Sequence, residues 1–190
     1  MYIYWHWPKF FETEKINQIV NFCEQNYDDV EDKTKGAKDY NNNYKKSSTV
    51  KYIYWNKIKH LLDDMQDAVI DCNYHNFGFD LNNLTDSIAV NYNNYSSDYN
   101  EQYDWHMDFD LKRPLLDTKL TLLINVSTND YEGGQFQLND GSEFTVPEFS
   151  GPGDMILFRS HVLHRVLPVT KGNRKTLSIF FEGPKFRWKK

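Results

Sequence analysis

Two short stretches of this 190-residue chain carry side chains that could ligate a metal. The first is His106-Met107-Asp108, in a segment that reads as a strand. Residues i and i+2 of a strand share a face, so an imidazole and a carboxylate would project together while Met107 turns away. Six histidines and 27 acidic residues also allow such a triplet by chance, as a partly exposed strand end. The second stretch, Ser160 to Val169, holds His161 and His164 and is followed by Gly172 and Arg174. A histidine near the end of one strand and an arginine early in the next, joined by a turn with Pro168 and Gly172, would face one interior from neighbouring strands. Two histidines and one carboxylate on one side of a metal leave positions open for exchange, which suits Fe(II) and O2 chemistry, whereas a structural zinc site is closed by protein ligands. Arg174 heads the largely apolar segment Lys175–Phe181. Pointing inward, it requires an anion, and a bidentate carboxylate matches its fork; one of the chain's own acids would serve equally.

The elements that must position these residues change character near residue 85. Ile16, Ile19, Val20 and Cys23 recur at helical spacing within Thr13–Gln25, as do Ile58, Leu61, Leu62, Met65 and Val69 within Ile58–Cys72, which predicts two helices. Between them, Tyr27–Ser48 is rich in Asp, Lys and Asn and reads as a long surface loop of the kind that covers active sites. From Ser87 onward come short strand-like segments: Ile88–Tyr95, Tyr103–Asp108, Lys119–Val126, Gly134–Leu138, Glu143–Val146, Met155–Phe158, Leu163–Val166 and Lys175–Phe181. Turn chemistry separates them, including Gly133-Gly134, Asn139-Asp140-Gly141 and Gly151-Pro152-Gly153-Asp154. The expected fold is mostly β with flanking helices (α+β): a jelly-roll core over residues 86–184, supported by helices and a lid loop in 1–85, within one domain spanning 1–190.

Composition narrows the function classes. A net charge of −5 disfavours nucleic-acid and anionic-lipid partners. No stretch reaches the roughly 18 apolar residues of a membrane helix, and the amino-terminal residues lack the pattern of a signal peptide. Cys23 and Cys72 have no C-x-x-C spacing and read as buried thiols of a reducing compartment, so a cytoplasmic protein is expected. The aromatic content of 16% suits β-structure and pocket walls.

Four motifs occur in order: H-x-D at 106–108, E-G-G-x-x-x-L from Glu132 to Leu138, G-D-M-I-L-F from Gly153 to Phe158, and L-H-R-V-x-P-V-T-x-G-x-R from Leu163 to Arg174. With the aromatic lead-in Tyr92-x-x-Tyr95 and Tyr103-Asp104-Trp105, this order resembles 2-oxoglutarate/Fe(II) dioxygenases of the prolyl 4-hydroxylase-like class, over roughly residues 88 to 184. The resemblance implies a double-stranded β-helix in which His106, Asp108 and His164 hold Fe(II). It implies that Arg174 binds the C5 carboxylate of 2-oxoglutarate, with Tyr95 and Ser178 adding hydroxyl hydrogen bonds. It also implies oxidation of a C–H bond by O2, with 2-oxoglutarate converted to succinate and CO2 and ascorbate as a possible reductant.

By the family's spacing His164 is preferred over His161, which becomes a structural or supporting histidine. Asp110 shares strand parity with Asp108 and reads as rim. The expected substrate is a prolyl or similar residue of a protein or peptide. Alternatives are a free amino acid, a small metabolite or an alkylated base under the same chemistry, and a metal-binding jelly roll without turnover. Nucleic-acid demethylases of the superfamily usually carry a second arginine six residues after the first, and Phe180 stands there.

Overall fold

The computed structural model describes residues 2–31, 46–109 and 115–186, apart from the side chain of residue 63. The elements in chain order are β1 (Tyr4–Trp7), α1 (Thr13–Gln25), β2 (Asp29–Glu31), β3 (Thr49–Tyr54), α2 (Trp55–Ile58), α3 (Asp63–Cys72), β4 (Ala89–Ser96), β5 (Tyr103–His106), β6 (Leu116–Asn125), β7 (Glu132–Gly133), β8 (Phe136–Asn139), β9 (Glu143–Thr145), β10 (Met155–Arg159), β11 (Leu163–Val166), β12 (Val169–Lys171) and β13 (Asn173–Pro184). Seven strands form one sheet in the order β1-β10-β6-β13-β4-β3-β2. Four form a second, β5-β11-β8-β9, and β12 pairs with β7 as a ribbon. All pairings are antiparallel.

The central strand β6 explains the layering. Leu120, Leu122 and Ile124 point to one side, where they pack with Ile16, Ile19 and Cys23 of α1 and Met65 and Val69 of α3. Leu123 points to the other side, where it meets Phe136 and Leu138 of the small sheet, Ile156 and Phe158 of β10, and Tyr95 of β4. A strand covered on both faces must be apolar nearly throughout, which is why 120–126 is apolar except at Thr121 and Asn125. The helices therefore brace the outer face of the large sheet, and the space between the sheets is free for a site, as in a double-stranded β-helix.

Three expectations are corrected. The helix foreseen over Ile58–Cys72 is broken: a 3₁₀ turn at Lys59–Leu61 follows α2, and α3 restarts at Asp63. Ile58, Leu62, Met65 and Val69 are all buried, so the apolar face runs through the break, and periodicity registers the face rather than the break. The loop foreseen over Tyr27–Ser48 contains β2, which pairs with β3; residues 32–45 lie outside the described residues. Finally, β11 and β13 are not sheet neighbours, because β12 intervenes and carries the chain from the small sheet to the large one. His164 and Arg174 consequently lie in opposing sheets. Strands β1 and β3, unforeseen, extend the large sheet on its two sides.

Candidate active site

His106 ends β5 and pairs directly with His164 on β11. The strand foreseen to reach Asp108 stops at His106, because the Asp108 N–H turns to donate to Ser160 O at 2.9 Å. Asp108 still joins the two imidazoles: its Oδ1 lies 3.6 Å from His106 Nε2 and its Oδ2 3.3 Å from His164 Nε2. The three ligand atoms lie within 4.8 Å of one another. Each ring is oriented through its other nitrogen, His106 Nδ1 donating to Asp104 O at 2.7 Å and His164 Nδ1 to Val162 O at 3.0 Å. That tautomer leaves both Nε2 lone pairs aimed inward. Tyr103 stacks on His106 with ring centroids 3.4 Å apart, and Phe158 abuts His164 edge-on.

The electrostatics favour a cation. Burial, followed by the neighbouring His164, pushes His106 down to about 3, so its imidazole is neutral at ordinary pH. Burial alone would raise the Asp108 carboxyl, but His164, His106 and the Thr121 hydroxyl together hold it below the usual carboxylate range. Thr121 Oγ1 donates to Asp108 Oδ2 at 2.8 Å and lies 2.9 Å from Ser160 Oγ. Two imidazole nitrogens and one carboxylate, converging from one side, form a facial set that can take a divalent metal with positions to spare.

The same cavity, of about 110 Å³, is lined across the sandwich by Arg174, Tyr95, Ser178 and Asn93. Arg174 is 1% exposed, and its Nη2 is buried with no hydrogen-bond partner. A buried guanidinium donor without an acceptor is costly, so the group is set to receive an anion. Tyr95 is its direct cross-strand partner on β4, with the guanidinium carbon 5.6 Å from the phenol ring centre. Burial raises the Tyr95 phenol to about 12, which keeps its O–H as a donor. Ser178, on the same face of β13, accepts from Asn93 Nδ2 at 3.0 Å. Gly134, with φ +64°, lies where a Cβ would come within 2.7 Å of Arg174 Cδ.

The profile of the 2OG-Fe(II) oxygenase superfamily matches residues 90–182, the segment that carries His106, Asp108, His164, Arg174, Tyr95 and Ser178. This segment of the chain belongs to that superfamily. It is 39% identical over 75 residues to a PKHD-type hydroxylase of Idiomarina loihiensis, a match covering 39% of this chain and 34% of that protein. The matched stretch is thus about a third of that relative's length. The fold is similar to that of a prolyl-4-hydroxylase of Pseudomonas putida, with a TM-score of 0.70, 15% identity and coverage of 97% of this chain and 95% of that one. It is also similar to a viral collagen prolyl hydroxylase from Paramecium Bursaria Chlorella virus-1, with a TM-score of 0.66, 14% identity and coverage of 96% and 97%.

The structure thus brings His106, Asp108, His164, Arg174, Tyr95 and Ser178 to one cavity. His161 is exposed and packs against Phe79 and Phe186 instead, and Asp110 lies outside the described residues. Unforeseen cavity residues include Lys46, whose Nζ sits 5.1 Å above the Tyr103 ring, and Asn93. Thr121 was also unforeseen; its signal was a lone hydroxyl in the segment Leu120–Val126, which is apolar apart from Thr121 and Asn125. Nothing local marked Lys46 or Asn93.

Proposed function

We propose that the chain is an Fe(II)- and 2-oxoglutarate-dependent hydroxylase whose substrate is a prolyl or similar residue of a protein or peptide. The observation that carries the reading is the pairing, in one cavity, of an open-sided His106–Asp108–His164 set with a buried Arg174 whose Nη2 has no partner. In this reading the triad holds Fe(II), Arg174 takes the C5 carboxylate of 2-oxoglutarate, and Tyr95 and Ser178 offer hydroxyls to it. When bound, the metal and 2-oxoglutarate supply oxidation of a substrate C–H bond by O2, with release of succinate and CO2. The protein's part is to fix and shield. Imidazoles held by the Asp104 and Val162 carbonyls are fixed in orientation, and the rings of Tyr103, Phe136 and Phe158 pack against them.

Support for a peptide comes from the cavity's mouth. Asn91 and Phe180 belong both to this cavity and to an outer groove of about 430 Å³ lined by Asn82, Asn83, Thr85 and Ser87. Side-chain amides and hydroxyls beside one aromatic ring suit a polypeptide main chain with a compact apolar side chain, and Phe180 offers no charge to a phosphate. The relatives named as hydroxylases and prolyl hydroxylases support the same substrate class.

The test measures succinate release with Fe(II), ascorbate and 2-oxoglutarate, alone and with proline-containing peptides, followed by mass spectrometry for gain of one oxygen atom. Succinate release that depends on iron and is stimulated by a peptide is expected. Release stimulated only by free amino acids or small metabolites would overturn the peptide assignment. Absence of both 2-oxoglutarate binding and succinate release would overturn the enzymatic one.

A further inference from the structure

Among the described residues, two guanidinium groups keep buried donors without partners. Arg174 is accounted for by the proposed co-substrate. Arg159, at the end of β10, is not: its Nε and Nη2 are both buried and unpartnered. These two atoms form the lateral edge of the guanidinium, whose two parallel N–H bonds match the two oxygens of one carboxylate. Leaving both unsatisfied beneath the surface is unfavourable unless an acceptor arrives.

The surroundings specify what carries that acceptor. Arg159 borders a cavity of about 400 Å³ whose other walls are Phe79, Phe109, His161 and Phe186, within the range of small-ligand pockets, roughly 300–1,000 Å³. The Phe186 ring lies 6.0 Å from Phe79, 6.2 Å from His161 and 6.3 Å from Phe109, contact distances for aromatic pairs, so these rings form one continuous wall of the cavity. Lys119, beneath Phe186, is already matched by Asp117 at 3.4 Å, and Asp117 also accepts the Phe186 N–H at 2.8 Å. Burial and the nearby Arg159 lower the pKa of His161, and Asp140 opposes them. Among the described residues that line the cavity, Arg159 is the one permanent cation.

This cavity is separate from the iron pocket. Along β10, Ile156 and Phe158 point between the sheets, whereas Leu157 packs on the helix side, and Arg159 follows Leu157 in alternation. Yet the cavity adjoins the metal face, since Phe109 follows Asp108 and Arg159 precedes Ser160, whose carbonyl receives the Asp108 N–H.

We propose that this cavity binds a carboxylate borne on an aromatic body, with the carboxylate drawn in to the buried Nε/Nη2 edge of Arg159 and the ring laid against Phe79, Phe109 and Phe186. The proposal concerns binding and does not depend on the oxygenase reading. N-acetyl-phenylalanine is the probe, titrated calorimetrically into the full chain beside N-acetyl-phenylalanine amide. Saturable binding of the acid is expected, with the amide weaker by about tenfold or more, the scale of a charge-assisted hydrogen bond. Arg159→Gln abolishes the preference for acid over amide, Phe186→Ala weakens both ligands together, and Arg174→Gln leaves the preference intact. Equal binding of acid and amide overturns the proposal, as does loss of the preference in Arg174→Gln with retention in Arg159→Gln, which would place the probe in the iron pocket. Absence of saturable binding up to about 10 mM overturns it as well. If Arg159→Gln does not fold by thermal melt, Arg159→Lys replaces it, and a lysine variant that matches the wild-type preference counts against the bidentate edge.

Discussion

Replacing Gly134 by alanine tests whether the position of Arg174 governs 2-oxoglutarate binding. Gly134 has φ +64°, and an added Cβ would meet Arg174 Cδ at 2.7 Å and Val169 Cγ2 at 3.1 Å. The left-handed backbone costs an alanine about 1–2 kcal/mol. The clash adds a displacement, because Cδ lies mid-chain and the guanidinium is held in the interior with 1% exposure, so it cannot swing into solvent. A shifted fork loses one charge-assisted hydrogen bond to the C5 carboxylate, about 1.5–3 kcal/mol, or about ten- to a hundredfold in affinity. The assay is titration of 2-oxoglutarate into the Mn(II)-loaded variant, with metal affinity and thermal unfolding measured in parallel. Stability should fall by about 1–2 kcal/mol, metal affinity should hold, and 2-oxoglutarate affinity should drop. A destabilised variant that binds 2-oxoglutarate like the wild type would refute the reasoning. So would equal losses of metal and 2-oxoglutarate affinity, which would mean that the damage spreads to the triad.

Thr121→Val removes the hydroxyl on Asp108 Oδ2 at nearly constant volume and should lower Fe(II) affinity by about 10- to 100-fold in metal titration; unchanged affinity would reduce Thr121 to packing. His164→Ala should abolish metal binding while His161→Ala, altered in an exposed ring beside Phe186, retains it; the reverse result would exchange their roles. Glu24 of α1 accepts from Lys51, Tyr92 and Lys175, and although burial would raise its carboxyl, these partners hold it at about 2. A depressed folded-state pKa means that its contribution is complete above its ordinary value of 4.5 and is lost as pH falls through that value towards about 2. The side chain is 39% exposed, so solvent screening leaves about 1 kcal/mol. The urea-unfolding difference between wild type and Glu24→Gln should shrink between pH 5 and pH 2.5, and a constant difference would exclude the linkage.

What the sequence makes legible follows the range over which each signal acts. Helix α1 matches its expected bounds because Ile16, Ile19, Val20 and Cys23 declare their shared face within thirteen residues. The metal and anion residues stand out through motif order, but the partnership of Tyr95 with Arg174 depends on the register between β4 and β13, which no local pattern specifies. The same holds for Asp108, whose polar neighbours Thr121 and Ser160 come from β6 and the turn after β10. Strand β3 was readable in retrospect: Thr49-Val50-Lys51-Tyr52-Ile53-Tyr54 has β-forming residues at nearly every position. Its polar neighbour, the Asp- and Lys-rich segment before it, obscured its start. Strand β1, four residues of YWHW, is too short to express an alternation and is recognisable only through its pairing with β10.

The two ends of the cavity obey different physical constraints, and β13 arranges them in sequence. Arg174, Thr176, Ser178 and Phe180 all line the cavity at two-residue intervals, so each step advances about 6.8 Å along the strand. At the Arg174 end a charge is buried and an orphaned donor demands one particular kind of partner, an anion. At the Phe180 end the wall is an aromatic ring beside the amide of Asn91, which opens towards the outer groove. A wrong ligand at the first end leaves a buried cation uncompensated, a penalty of several kcal/mol, whereas a wrong ligand at the second forfeits only contact area and one or two neutral hydrogen bonds. Discrimination at the deep end is therefore steep and chemical. At the mouth it is shallow and dominated by shape, so under the proposed function Arg174 would select the co-substrate and the groove around Asn91 and Phe180 the primary substrate.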